Sequence, residues 1–269
     1  MPSGIPSYET GDRRLSSLAS GRFQSASRAG RPEARPCRIG LIALASDHAI
    51  EDELRLFLTP EVARIATTRI ANADRYDATT LAVNAAGLGA AAALLLPAGR
   101  LDVLAYGCTS GTVAIGEAEV DRLLGSARPE AAVTTPITAA KAALAALGAR
   151  RIALLTPYPA VLHRMVAEHL EGHGFTLSDE RGLGVATDAG ISALTARELR
   201  EAACSLDRQG AEAVFLSCTA LHTAGLVDTL EQELALPVVT SNQALAWHAL
   251  RLAGVAASLP GRGRLLRSN

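Results

Sequence analysis

Two stretches of the chain end in the same pair of residues. LDVLAYGCTSGT occupies 101–112 and AEAVFLSCTALHT occupies 211–223; each is an apolar run that stops at Cys-Thr, Cys108-Thr109 in the first and Cys218-Thr219 in the second. A thiol becomes a usable base or nucleophile once its thiolate is favoured, and helix N-termini or clustered N–H donors favour it. Cys108 is followed by Thr109, Ser110, Gly111 and Thr112, small residues whose amides and hydroxyls can line an anion pocket. Such donors would also hold a carboxylate and the enolate-like charge that appears when a neighbouring C–H is deprotonated. With one thiol on each face of a small molecule, one removes a proton and the other returns one, which inverts a stereocentre without cofactor or metal. A single Cys at a strand end is more often simple packing. Two at matched places, each followed by Thr, fit catalysis better. Cys37 and Cys204 lack that setting and read as inert.

The elements that must position these thiols repeat along the chain. From Arg38 onward, short β-rich runs alternate with Ala/Leu-rich helical stretches, the pattern of parallel α/β architecture. RIGLIAL (38–44), a turn at Ser46-Asp47-His48 and the acid-led helix start EDELRLFL are answered by RIALLTPY (151–158) and the helix AVLHRMVAEHLEGHG. LDVLAYGC pairs with AEAVFLSC, and EAAVTTPITAAKAAL (130–144) with LPVVTSNQALAWHAL (236–250). All three pairs recur about 110 residues apart, the signature of an internal repeat. We expect two similar Rossmann-like parallel-sheet halves related by a pseudo-twofold axis, 37–135 (joined by a C-terminal helix, 242–269) and 136–241. Ligands of open parallel sheets sit beyond the carboxyl ends of the strands, so both Cys-Thr ends would face one cleft.

Composition narrows the function further. The 269 residues carry a formal net charge of −1 and only 3% aromatics, which argues against a nucleic-acid surface. No apolar run approaches the ~18 residues of a membrane span. Four cysteines without CxxC argue against a disulfide framework and for a reducing, cytoplasmic compartment. No cofactor and no metal are expected: no strand-linked phosphate loop is present, and no pair of Cys or His reads as a ligand set. Residues 1–36, rich in Ser, Gly, Pro and Arg and without a period, read as a disordered extension. His222 and His48 stand near the strand ends and read equally as relays or surface residues. Asp47 has two readings, a cap for the helix at 50–58 or a partner for a cationic or N–H-bearing substrate.

YGCTSGT and LSCTALHT resemble the paired cysteine motifs of the aspartate/glutamate racemase superfamily. LLTPY (154–158), SNQALAWHALRLAG (241–254) and PGRGRLL (260–266) are similar to the branch holding maleate cis-trans isomerases, arylmalonate decarboxylases and ectoine-utilisation proteins. The similarity runs over about residues 38–267 and implies a two-half α/β fold with its site between the halves and cofactor-free chemistry. It implies Cys108 and Cys218 as the catalytic pair and Tyr158 as a carboxylate binder, with Thr109, Ser110 and Thr219 beside them. Arylmalonate decarboxylases resemble this chain less at Cys108, where they carry a glycine. At two positions where maleate isomerases place asparagines, this chain carries Asp47 and Asp188, which repel a dicarboxylate and suit a substrate with one carboxylate and a cationic group, such as the cyclic amidines ectoine and hydroxyectoine. The expectation is therefore a racemase, epimerase or isomerase acting next to a carboxylate in ectoine utilisation. The alternatives are a maleate isomerase or arylmalonate-type decarboxylase, and a non-catalytic binding protein on the same scaffold. A homo-oligomer is compatible with all of these.

Overall fold

A computed structural model of the chain describes residues 35–73 and 78–267. The expected disordered extension lies outside these residues except for Arg35 and Pro36. The first half runs β1 (Cys37–Leu44), α1 (Ile50–Phe57), β2 (Ala63–Ile70), α2 (Ala78–Val83), α3 (Ala85–Leu94), β3 (Val103–Gly107), α4 (Thr109–Ile115), α5 (Glu117–Ala127), β4 (Ala132–Thr134) and α6 (Pro136–Ala146). The second runs β5 (Arg151–Thr156), α7 (Ala160–Gly172), β6 (Thr176–Gly182), α8 (Asp188–Ser192), α9 (Ala196–Cys204), β7 (Ala213–Leu216), α10 (Val227–Leu234), β8 (Val238–Thr240), α11 (Ser241–Leu252) and α12 (Gly263–Arg267).

Each half holds a four-stranded, all-parallel sheet, ordered β2-β1-β3-β4 in one and β6-β5-β7-β8 in the other. The two similar α/β halves expected from the repeat are therefore present, with identical strand order. The central strands read as continuous apolar runs because helices cover both their faces. Along β1, every residue except Arg38 is buried. Successive residues serve opposite faces: Leu41 and Ala43 join one buried apolar layer, Ile42 and Leu44 the other. Both layers contain residues of both sheets, so one core runs through the two halves. Among the described residues no helix is long and apolar enough to cross a membrane.

The halves are joined by helices that leave the last strand of each sheet. The Thr135 hydroxyl caps α6 and the Thr240 hydroxyl caps α11, each supplying an acceptor to amides the first helical turn leaves without partners. These two helices pack on each other; α11 also contacts α1, β3 and β4 of the first half, and α6 contacts β8 of the second. Helix α12 packs on α10, α11 and β8.

A buried acid fixes the segment that follows Cys218. Glu53 of α1 is 2% exposed. Its Oε2 accepts from the Thr223 N–H at 2.9 Å, the Thr223 hydroxyl at 2.7 Å and the Ala224 N–H at 3.0 Å. A buried carboxylate is tolerated only with such donors around it. Replacing Glu53 by Ala strands the Thr223 and Ala224 N–H groups and leaves the Thr223 hydroxyl only Thr240 Oγ1 at 3.2 Å, so urea unfolding should show a loss of about 2–4 kcal/mol. An unchanged midpoint would mean that the loop after Cys218 is held by something else.

Candidate active site

Four chain segments converge at the carboxyl ends of β1, β3, β5 and β7. The turn after β1 carries Asp47, 2% exposed. Asp47 Oδ1 accepts from the N–H groups of Ala49 and Ile50 at 2.8 and 2.9 Å. The geometry therefore contains the capping interaction that the sequence allows for this residue. Arg69 holds the same turn from the β2 side, donating through Nη1 to the carbonyls of Leu44 and Asp47, each at 2.8 Å.

Cys108 is itself the N-cap of α4, in extended backbone conformation, and its Sγ accepts from the Gly111 N–H at 3.2 Å. That approach requires glycine: a Cβ at residue 111 would lie 2.8 Å from Cys108 Sγ and 2.6 Å from the Tyr106 hydroxyl. The Ser110 hydroxyl stands 3.9 Å from Sγ on the other side. Cys218 sits two residues past β7, and its N–H donates to Ser241 Oγ at 3.0 Å. Ser241 Oγ also bonds Thr109 Oγ1 at 2.9 Å, while Thr219 Oγ1 donates to the Gly107 carbonyl at 3.3 Å. Each Cys-Thr end is thus tied by its threonine to the opposite half, a reciprocity that follows from the internal repeat. Thr109 and Thr219, expected beside the substrate, spend their hydroxyls on these ties. Asn242 completes the joint, donating to the Thr219 carbonyl at 2.8 Å.

Tyr158 stands beside Cys218 and Ser110. It is 1% exposed, and its hydroxyl hydrogen-bonds Cys218 and Ser110. Burial pushes its pKa well up, and the charges of both Cys218 and Cys108 act on it in the same direction. Asp188, at the start of α8 and 1% exposed, accepts from the Ser46 hydroxyl across the halves; Ser46 in turn accepts from Asn72 Nδ2 at 2.6 Å.

Both thiols are held in the neutral form. Burial pushes Cys108 up to about 11, against the Gly111 N–H, which favours the thiolate; the Asp47 charge adds to the upward push. Cys218 lies well above the usual thiol range, again chiefly through burial, with Asp188 and Asp47 adding to it and the Tyr158 hydroxyl and Ala220 N–H opposing it. Both thiols sense Asp47. Cys37 and Cys204 lie away from this constellation, the former pushed up to about 11 by burial. His48 and His222 are exposed, and His222 lies in an irregular segment rather than on a helix.

Sequence reasoning misses Ser241, Asn242, Glu53 and Tyr106. Ser241 and Asn242 do follow the third matched strand end, and that position is the available signal. Tyr106, buried beneath Cys108 and beside Asn84, faces the thiol from within its own strand.

Two buried thiols at matched strand ends of a duplicated α/β fold mark the candidate active site between the halves. The arylmalonate decarboxylase family profile matches residues 112–266. A maleate isomerase of Nocardia farcinica is 34% identical over 176 residues, 62% of this chain and 70% of that protein. The arylmalonate decarboxylase of Bordetella bronchiseptica is 34% identical over 141 residues, 49% of this chain and 56% of that protein. Among solved structures, the Nocardia farcinica maleate cis-trans isomerase with a covalently bound succinylcysteine intermediate superposes with a TM-score of 0.79 at 29% identity, covering 86% of this chain and 98% of that one. The chain belongs to the arylmalonate decarboxylase family, within the Asp/Glu racemase-like superfamily.

The raised Cys108 pKa has a direct readout. Alkylation of Cys108 by iodoacetamide, followed by mass spectrometry, should keep accelerating past pH 9.0 and level off only near pH 11. Because folding raises this pKa, the stability contributed at Cys108 is full below the unfolded value and is lost as pH rises through the folded one. A plateau near pH 9 would identify an ordinary thiol.

Proposed function

We propose that the chain is a cis-trans isomerase of small unsaturated dicarboxylates of the maleate type, working through covalent addition of a thiol. The observation that carries this reading is the pair of buried thiols at matched strand ends, with the Tyr158 hydroxyl bonded to Cys218 and in the field of Cys108. Cys108, whose Sγ caps α4 and accepts from the Gly111 N–H, enters as thiolate after losing its proton to solvent. Its sulfur adds to one alkene carbon, forming a C–S bond, and the π electrons pass to the neighbouring carbon and its carboxylate. Cys218 delivers its proton to that carbon and becomes a thiolate, which the Tyr158 hydroxyl stabilises. The former double bond is now single and rotates. Cys218 then takes the proton back, the C–S bond breaks, and the trans isomer leaves with Cys108 again a thiolate. The succinylcysteine in the Nocardia farcinica isomerase supports an addition of this kind. A decarboxylase of activated malonates is the neighbouring reading within the family, and it would need only one thiol.

A second substrate class is favoured by a specific observation. Asp47 and Asp188 are buried, and both carboxylates raise the Cys218 pKa. A substrate with one carboxylate and a cationic amidine, ectoine or hydroxyectoine, would meet them favourably, with the two thiols exchanging an α-proton instead of adding.

Cys218→Ser treated with maleate should accumulate one equivalent of thioether on the peptide containing Cys108, and Cys108→Ser should form none. Release of carbon dioxide from an arylmalonate by the Cys108→Ser variant, with no adduct in either protein, would sink the isomerase reading in favour of decarboxylation.

Asp47→Asn separates the substrate classes. Asparagine keeps the cap but removes the charge, so maleate should bind more tightly. Binding of a cyclic amidine should instead weaken by about 1.5–3 kcal/mol, the scale of a charge-assisted hydrogen bond. Calorimetric titration of both ligands would decide, and affinities moving the other way would exclude the dicarboxylate reading.

A further inference from the structure

Outside the cleft, three ligand-type side chains converge where the halves meet. Glu117 opens α5 of the first half; His169 and His173 lie on the last turn of α7 and just beyond it in the second. Four residues apart, the two imidazoles share one face, and one ligand atom from each of the three residues lies within 4.8 Å of the others. This spacing of two histidines, four residues apart, is a ligand-type pair that the reading of the sequence passes over.

The hydrogen bonds already resemble those around a bound cation. His173 Nδ1 sits 2.7 Å from the His169 carbonyl, so Nδ1 carries the proton and donates it. Its Nε2 faces Glu117 Oε1 at 3.8 Å. Donation of the remote ring N–H to a carbonyl is also the usual way a metal-binding histidine is oriented. His169 Nε2 stands 2.9 Å from the same oxygen. These separations bracket the roughly 3.4 Å expected between ligands of a tetrahedral ion with bonds near 2.1 Å.

We propose that Glu117, His169 and His173 form a binding site for a divalent transition-metal ion of the Zn²⁺ or Co²⁺ type, completed by water, which clips α5 of one half to α7 of the other. Two imidazoles and a carboxylate suit borderline cations rather than Mg²⁺ or Ca²⁺. Lys141 is the built-in competitor: its ammonium bonds Glu117 Oε1, and it must swing towards solvent when the ion enters. Thr138 donates to Oε2, which leaves Oε1 as the ligand atom. His169 binds through Nε2 after moving its proton to Nδ1.

Titrating the chelator-stripped full chain with Co²⁺ should give one equivalent bound, with visible bands of a nitrogen- and oxygen-ligated ion and no near-ultraviolet thiolate charge transfer. His173→Ala, at a half-exposed position, should weaken binding at least tenfold while leaving the metal-free melting temperature unchanged. Lys141→Met should tighten it several-fold. Binding that shows thiolate charge transfer and persists in His173→Ala would place the ion on the cysteines and overturn the proposal. Absence of binding at millimolar Co²⁺ in both the unsubstituted chain and Lys141→Met would do the same, leaving an ion-paired corner only.

Discussion

The Ser241 hydroxyl is the contact on which the site depends. It lies between the Cys218 N–H and the Thr109 hydroxyl, and so one atom on the first residue of α11 reads both Cys-Thr strand ends. Its two partners belong to different sheets. Buried polar groups that find partners only across an interface make that interface specific, because sliding either half would leave them unsatisfied. The reciprocal tie from Thr219 to the Gly107 carbonyl fixes the same joint from the other side. Position in the cleft is thereby set by hydrogen bonds of the backbone and short side chains, and no long flexible side chain is needed to bring the thiols together.

That rigidity has an electrostatic counterpart. The cleft holds two thiols, a tyrosine and two carboxylates in surroundings from which water is largely excluded. Burial chiefly, and then the resistance of each negative charge to the others, puts both cysteines and Tyr158 above their ordinary ranges. The resting thiols are protected from oxidation and from stray electrophiles, since the thiolate is the reactive form. Reactivity is thus deferred until a substrate and its donors reshape the local field. The thiols differ in their surroundings: Cys108 accepts from the Gly111 N–H at a helix start and senses Asp47, whereas Cys218 senses both Asp188 and Asp47.

Much of this is legible in the sequence, for a physical reason. Parallel strands buried on both faces are written as short apolar runs, and a repeat writes them twice, so β1 with β5, β3 with β7 and β4 with β8 pair up from the residues alone. The same repeat makes Cys108 and Cys218 stand out from Cys37 and Cys204. Asp47 is readable as a cap because an acid just before a helix start is a local signal. The contacts that the sequence hides are non-local. Ser241 meets Thr109 across 132 residues and Glu53 meets Thr223 across 170, and nothing in the neighbourhood of either residue announces its partner. Thr109 and Thr219 are recognisable as a matched pair, yet their use as ties rather than ligands depends on the facing half. The Glu117–His169–His173 corner is hidden similarly, since its acid and its imidazoles come from different halves.

The placement of α11 has a consequence for how the protein is made. This helix comes after every strand in the chain, yet it packs on α1, β3 and β4, elements synthesised much earlier. A nascent first half leaving the ribosome can pair its sheet, but the Thr109 hydroxyl and the apolar flank of α1 wait for a segment that has not been translated. Domains usually complete themselves in order of synthesis; here the earliest part is finished by the latest. The candidate site consequently comes into being only once α11 has emerged, so a chain that stops short of it exposes its thiols without the contacts that hold them.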